Sequence, residues 1–190
     1  MANDPLLGWI LSAAYREGHF VLSSGATSDY YIDLRVLTLT PEPATLIADG
    51  LLDLIAPTGV VAVGGPTVSA VPILGALCVR AHQRGIPISA FFVRGTQKTH
   101  GMGQKVEGPA LEEGGRVAIL DDVISMGGGI RGAIEGAEEA GASVVKVLAV
   151  VDREMGGSDA LRADGYDVEA LYTISGIRAA RARQAGGPTS

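Results

Sequence analysis

Cysteine is almost missing from this chain of 190 residues: Cys78 stands alone. That excludes an intrachain disulfide framework and fits a reducing, cytoplasmic setting. Charge is scarce as well. Only 19% of residues are charged while 47% are hydrophobic, so neither a disordered segment nor a coiled-coil rod fits. No basic excess exists either, since 15 Lys and Arg stand against 21 Asp and Glu for a net charge of −6. An open nucleic-acid groove needs clustered cations to displace phosphate counterions, so no nucleic-acid partner is expected. A small phosphorylated substrate remains compatible, because one pocket can be locally basic on an acidic protein. The first residues lack a basic run before their apolar stretch, and no secretory signal is read there. Segment 54–79 carries no charge and exceeds the ~20 residues that cross a bilayer. Pro57, Pro66, Pro72, Gly59, Gly64, Gly65 and Gly75 break it, so a strand, a tight loop and a buried helix explain it better than a membrane span.

Glycine is what the chain has in plenty: 27 residues, twice the average share of ~7%. They follow no period of three and read as turns and close backbone approaches. The length suits one domain, taken as residues 1–180, followed by a flexible polar tail at 181–190. Asp4 and Pro5 read as a helix start, with Leu6, Leu7, Ile10, Leu11 and Ala14 recurring at helical spacing. Extended segments are expected at Leu22–Gly25 and Tyr30–Leu39, and a helix from about Pro43 to Ile55. Further on, the pattern predicts strands at Val60–Val63, Ile88–Arg94, Arg116–Leu120, Ser143–Asp152 and Val168–Ile174. Helices are predicted at Val71–Gln83, Ile130–Ala140 and Asp159–Ala163. Strands alternating with helices imply an α/β fold with a parallel sheet covered on both faces.

The most informative stretch runs Val117-Ala118-Ile119-Leu120-Asp121-Asp122-Val123-Ile124-Ser125-Met126-Gly127-Gly128-Gly129-Ile130-Arg131. A buried strand ends in two adjacent carboxylates, and a Ser- and Gly-rich loop then opens a helix. Open α/β sheets bind ligands at the C-terminal ends of their strands. Glycines let successive N–H groups converge on an anion, and the helix N-terminus adds partial positive charge. The loop suits a phosphate. The paired acids, repelled by phosphate, suit sugar hydroxyls or a cationic transition state. A helix cap and a plain glycine turn account for the same letters, and that alternative stays open. No GxxxxGK[ST] loop occurs, and no GxGxxG follows the first strand.

The strand, the DDVIS run, the three glycines and the helix together resemble the phosphoribosyl-pyrophosphate motif of the type I phosphoribosyltransferases. Three more segments, in that family's order, are similar to its orotate-using branch. They are Leu22-Ser23-Ser24-Gly25 with Ser28-Asp29-Tyr30-Tyr31-Ile32-Asp33, then Phe91-Phe92-Val93-Arg94 with Lys98-Thr99-His100-Gly101 and Val106-Glu107-Gly108, and finally Asp152-Arg153. The resemblance implies an open, mostly parallel sheet flanked by helices, with a small N-terminal hood and a mobile loop. It implies transfer of the phosphoribosyl group from phosphoribosyl pyrophosphate to orotate with Mg²⁺, giving orotidine 5′-monophosphate and pyrophosphate in pyrimidine synthesis.

By the same resemblance, Ser125, Met126, Gly127, Gly128 and Gly129 hold the 5′-phosphate, and Asp121 and Asp122 the ribose hydroxyls. Thr67, Val68 and Ser69 form the pyrophosphate loop, although a plain strand-to-helix turn also fits them. Arg94 faces pyrophosphate. Lys98 and His100 belong to a mobile loop reaching a neighbouring subunit's site, so a homodimer with shared active sites is expected. A solvated loop fits them too. Arg153 pairs with the orotate carboxylate, Ser125 donates to the base, and Tyr31 and Ile32 line its plane. Mg²⁺ is held mainly through pyrophosphate and ribose oxygens, with no protein ligand assigned. The chain departs from the family pattern at Ser23, Ala26, Ser69, Gly95 and Gly128, which removes cations and one hydroxyl. Transfer to another base, or a non-catalytic phosphoribosyl-pyrophosphate sensor, are the alternatives.

Overall fold

The computed structural model describes residues 4–21, 27–95 and 105–185. Helix α1 (Pro5–Trp9) starts where the sequence places it, with the Asp4 carboxylate accepting the Leu7 N–H at 3.0 Å. It continues as a π-helical turn, Ile10–Ala14. Strands β1 (Tyr15–Val21) and β2 (Thr27–Ile32) form an antiparallel hairpin in which Tyr15 faces Ile32. The extended segment expected through Leu39 stops at Ile32. Asp33 Oδ1 accepts the Arg35 N–H at 3.1 Å, a side-chain-to-backbone turn that starts the short helix α2 (Arg35–Thr38). Residues Leu22–Gly25 lie outside the described residues.

Helix α3 (Pro41–Ile55) begins two residues before Pro43. Proline is at home in a first turn, where the missing N–H has no partner in any case. Then come β3 (Ala62–Gly64), α4 (Ala70–Gln83), β4 (Ser89–Ala90), β5 (Phe92–Val93) and β6 (Val106–Glu107). The expected strand Ile88–Arg94 is thus split at buried Phe91: β4 pairs with β3, while β5 turns to meet β6 antiparallel. The chain closes with β7 (Arg116–Ile124), α5 (Gly128–Glu139), β8 (Ser143–Asp152), α6 (Gly157–Ala163), β9 (Val168–Thr173) and α7 (Ile174–Ala185). The polar tail expected from Arg181 is helical as far as Ala185. Ile174, Ile177 and Ala180 bury one side of that helix and carry its exposed last turn with them.

Five parallel strands form the central sheet in the order β4-β3-β7-β8-β9. Strand alternation divides the core in two. Val117 and Ile119 of β7 pack with Ile130, Ile134 and Ala137 of α5 on one face. Ala118 and Leu120 pack with Ile47 and Leu51 of α3 and Ile73 and Leu77 of α4 on the other. Both faces being apolar, the strands read as unbroken hydrophobic runs. The expected parallel α/β architecture is what forms. Among the described residues, no helix is long and apolar enough to cross a membrane.

Candidate active site

Three loops leave the C-terminal edge of the sheet side by side: 65–69 after β3, 125–127 after β7 and 153–156 after β8. Of the candidate residues on them, Ser69, Ser125–Gly127 and Arg153 wall two adjoining hollows, while Thr67 and Val68 wall neither. One, of about 160 Å³, is walled by Asp121, Val123 and the run Ser125–Ile130. The other, of about 290 Å³, is walled by Ile32, Asp33, Leu34, Arg35, Ser69, Asp122, Val123, Ser125 and Arg153. A further hollow at the opposite end of the strands has Glu112 as its one ionisable wall residue.

Asp121 and Asp122 lie inside β7 rather than after it. Asp121 serves the smaller hollow and Asp122 the larger. Asp121, 9% exposed, accepts a hydrogen bond from the Ser69 hydroxyl at 2.6 Å and another from the Asp122 N–H at 2.8 Å, both at Oδ1. The first bond ties the loop after β3 to the strand beside it. Burial pushes the Asp121 carboxyl up to about 7, the Ser69 hydrogen bond opposing the rise and the Asp122 charge adding to it. Burial raises Asp122 too, against hydrogen bonds from Asp121 and the Val123 N–H and against the nearby Arg35 charge. The two acids titrate as a pair.

The loop after β7 is shaped by two glycines. Gly127 caps α5 with φ 83°, a left-handed conformation that side chains resist. Gly157, at the start of α6, presses up from below. Its N–H donates to the Ser125 carbonyl at 3.0 Å, and a Cβ on it would sit 2.4 Å from that oxygen and 2.7 Å from the Gly127 nitrogen. The sequence reading missed Gly157. Its only signal is a further Gly-Gly pair just after the next strand. The first-turn N–H groups of α5 have no partner within the helix and face the hollow's side of the loop.

Arg153 follows β8. Its Nε donates to the Tyr30 hydroxyl at 2.9 Å, its Nη1 lies 3.5 Å from Ser125 Oγ, and its guanidinium stands over the Tyr30 ring, 5.0 Å from the centroid. Arg153 and Ser125 therefore meet beyond the ends of β8 and β7. Tyr30, unassigned in the sequence, is the residue that holds Arg153. Of the neighbouring pair, Ile32 walls the cleft, whereas Tyr31 lies against Phe20 with ring centroids 5.6 Å apart.

Thr67 N–H donates to the Val93 carbonyl at 3.1 Å, which sets the 65–69 loop beside β5, and Val68 is 80% exposed at its tip. Arg94, next to that contact, forms an ion pair with Glu107 at 3.4 Å across the β5–β6 hairpin. Lys98, His100, Ser23 and Ala26 lie outside the described residues. Arg35 is the cleft residue that sequence reasoning passed over altogether.

No protein-family model matches the chain. It is 42% identical over 167 residues to an orotate phosphoribosyltransferase of Streptomyces coelicolor, covering 88% of this chain and 91% of that one. It is similar in structure to the Mycobacterium tuberculosis H37Rv orotate phosphoribosyltransferase in complex with Fe(III) dicitrate, with a TM-score of 0.79, 33% identity, and coverage of 90% of this chain and 96% of that one. The same M. tuberculosis enzyme in complex with 5-phospho-α-D-ribosyl 1-diphosphate gives a TM-score of 0.76 at 29% identity, over 91% and 96% of the two chains.

Proposed function

The chain belongs to the orotate phosphoribosyltransferase family, and on that premise we propose how its sheet edge carries out the reaction. The enzyme transfers the phosphoribosyl group from phosphoribosyl pyrophosphate to orotate, giving orotidine 5′-monophosphate and pyrophosphate in pyrimidine synthesis. The observation that carries the assignment of parts is the convergence of three loops on adjoining hollows. The Ser125–Gly129 loop takes the 5′-phosphate, Asp121 and Asp122 the ribose, and the Thr67–Ser69 loop with Arg94 the pyrophosphate. Arg153, Ser125 and Ile32 take orotate, while Tyr31, packed on Phe20, does not wall this cleft. As the bond from the anomeric carbon to pyrophosphate oxygen breaks, that carbon gains positive charge before the orotate nitrogen reaches it. The cleft-facing Asp122 carboxylate stabilises that charge.

Mg²⁺ fits this donor set as a companion of the substrate. Among the described residues no three His, Cys, Asp or Glu side chains could form a cage. A hard cation that keeps waters and binds substrate phosphate oxygens asks for few protein ligands. When bound, it neutralises charge on the departing pyrophosphate. Asp122 can accept from its water shell.

The direct test is the fall in orotate absorbance when phosphoribosyl pyrophosphate and Mg²⁺ are added. Transfer to a different base with orotate untouched would overturn the base assignment, and binding without any transfer would favour the sensor reading. Arg153→Leu should raise the KM for orotate roughly ten- to a hundredfold, the equivalent of about 1.5–3 kcal/mol for a lost charge-assisted bond. The KM for phosphoribosyl pyrophosphate should hold. Equal effects on both substrates would make Arg153 a scaffold residue.

The working unit in this reading is a cytoplasmic homodimer in which Lys98 and His100 cross to the partner's site. Mixing Lys98→Ala chains with Asp121→Asn/Asp122→Asn chains is expected to restore about a quarter of wild-type activity after random exchange, because half the dimers carry one intact site. Proven exchange without recovery would overturn the shared site.

A further inference from the structure

Arg35, the first residue of α2, walls the same cleft as Ser69, Asp122, Ser125 and Arg153. Its guanidinium grips Asp33 at two points, Nε to Oδ1 at 2.8 Å and Nη2 to Oδ2 at 2.9 Å. The pair faces solvent, the Arg35 side chain being 64% exposed. Such pairs are weak, so a more highly charged anion can take the arginine over. Asp33 would stay in place, because its Oδ1 also accepts the Arg35 backbone N–H. Only the arginine side chain has to turn.

The two arginines of the cleft stand at different places along it. Arg153 is fixed at the end of β8 by Tyr30 and Ser125. Arg35, on α2, walls the same hollow as Asp122 of β7 and Ser69, the last residue of the 65–69 loop. Orotate brings one carboxylate, and Arg153 is placed for it. The Thr67–Ser69 loop offers amides and hydroxyls but contains no cation, and its Ser69 hydroxyl is engaged with Asp121. A planar guanidinium presenting two parallel donors matches phosphate as well as carboxylate.

We propose that Arg35 binds pyrophosphate: it exchanges its Asp33 partner for the diphosphate oxygens of phosphoribosyl pyrophosphate. This rests on the substrate assignment above. It adds to that assignment a binding residue and a carboxylate that competes with the substrate.

The experiment compares wild type with Arg35→Gln, Arg35→Lys and Asp33→Asn, each checked for an unchanged melting temperature. Pyrophosphate with Mg²⁺ and orotate are titrated separately by calorimetry, alongside steady-state kinetics. Arg35→Gln is expected to weaken pyrophosphate binding, and raise the KM for phosphoribosyl pyrophosphate, by about tenfold or more, as loss of a charge-assisted phosphate contact does. The KM for orotate should stay within about twofold, since orotate's charged contact is at Arg153. Arg35→Lys should recover part of the loss, as a point charge without the fork. Asp33→Asn keeps the Oδ1 acceptor, removes the competing charge and should tighten pyrophosphate. Unchanged pyrophosphate affinity in Arg35→Gln, or a loss confined to orotate, would overturn the proposal. Wild-type protein that binds pyrophosphate but never consumes orotate would strike the base assignment instead, and the pyrophosphate titration would still judge Arg35.

Discussion

Asp121→Asn combined with Asp122→Asn should lower phosphoribosyl transfer about a thousandfold or more, the scale on which removing groups that stabilise a transition-state charge is felt. The fold should survive. Asn keeps an Oδ1, so the Ser69 hydroxyl, the Asp122 N–H and the Val123 N–H all retain their acceptors. Stability should even rise, with a sign that pH reveals. Asp121 is held at about 7 when folded, against about 4 for a carboxylate in an unfolded chain. Between those values the folded state binds the extra proton, so wild-type stability falls as pH climbs through the window. The double variant has no such proton to lose. Its melting temperature should exceed the wild-type value at pH 8 by about 3–6 °C, the shift that 1–2 kcal/mol gives in a chain of this size, and match it more nearly at pH 4. Circular dichroism melts at the two pH values, with turnover, check both halves. Retained activity would remove the ribose role. A variant less stable at pH 8 than wild type would show that the pair is not a strained one.

Gly157→Ala should damage catalysis without touching a substrate. On its own, alanine in α6 would stabilise the helix by about 0.5–1 kcal/mol. The close approach outweighs that, since the new Cβ would meet the Ser125 carbonyl, the Gly127 nitrogen and the Met126 carbonyl carbon within 2.8 Å. All three are backbone, so the phosphate loop itself must move. A displacement near 1 Å in a positioning element costs about a hundredfold, and kcat/KM for phosphoribosyl pyrophosphate should fall by that order while orotate affinity changes little. Gly132→Ala is the control. It sits in α5 with nothing within 4 Å of its Cβ, and should leave the kinetics as they are. Unchanged kinetics in Gly157→Ala would mean that the loop is not held from below.

The parallel sheet was legible because its strands are buried on both faces. Val117–Leu120 and Val147–Val151 are continuous apolar runs with turn signals on either side, and local pattern alone reports them. The Ser- and Gly-rich turn from β7 into α5 was legible for a similar reason, its letters being contiguous. What escaped was set by contacts distant in sequence. Tyr30 and Arg153 lie 123 residues apart, and nothing near either one announces the other. Ser69 reads as one more loop hydroxyl until the fold brings it to Asp121. Arg35 looked like part of an extended segment because its turn is one short helix, started where the Asp33 carboxylate accepts its N–H and held by the Leu34 carbonyl accepting from Leu37 and Thr38. The split at Phe91 was equally hidden, since a run of apolar residues does not say which partner each half will find. The end of α7 was misread for lack of contrast, its outward residues being those a tail would have.

The order of the strands in the sheet also bears on how the chain acquires its structure. β3 pairs with β4 soon after both are made, but its other neighbour is β7, with Ala62 beside Val117 and Gly64 beside Ile119. That pairing closes a long intervening segment, and contacts so distant along the chain slow folding. During synthesis, therefore, the first half of the protein holds β3 with one row of backbone groups unpaired until the Arg116–Ile124 strand emerges. An open strand edge is a template for other chains. Arrival of β7 closes that edge but opens a longer one, because the far side of this nine-residue strand stays unpaired until β8, Ser143–Asp152, follows it.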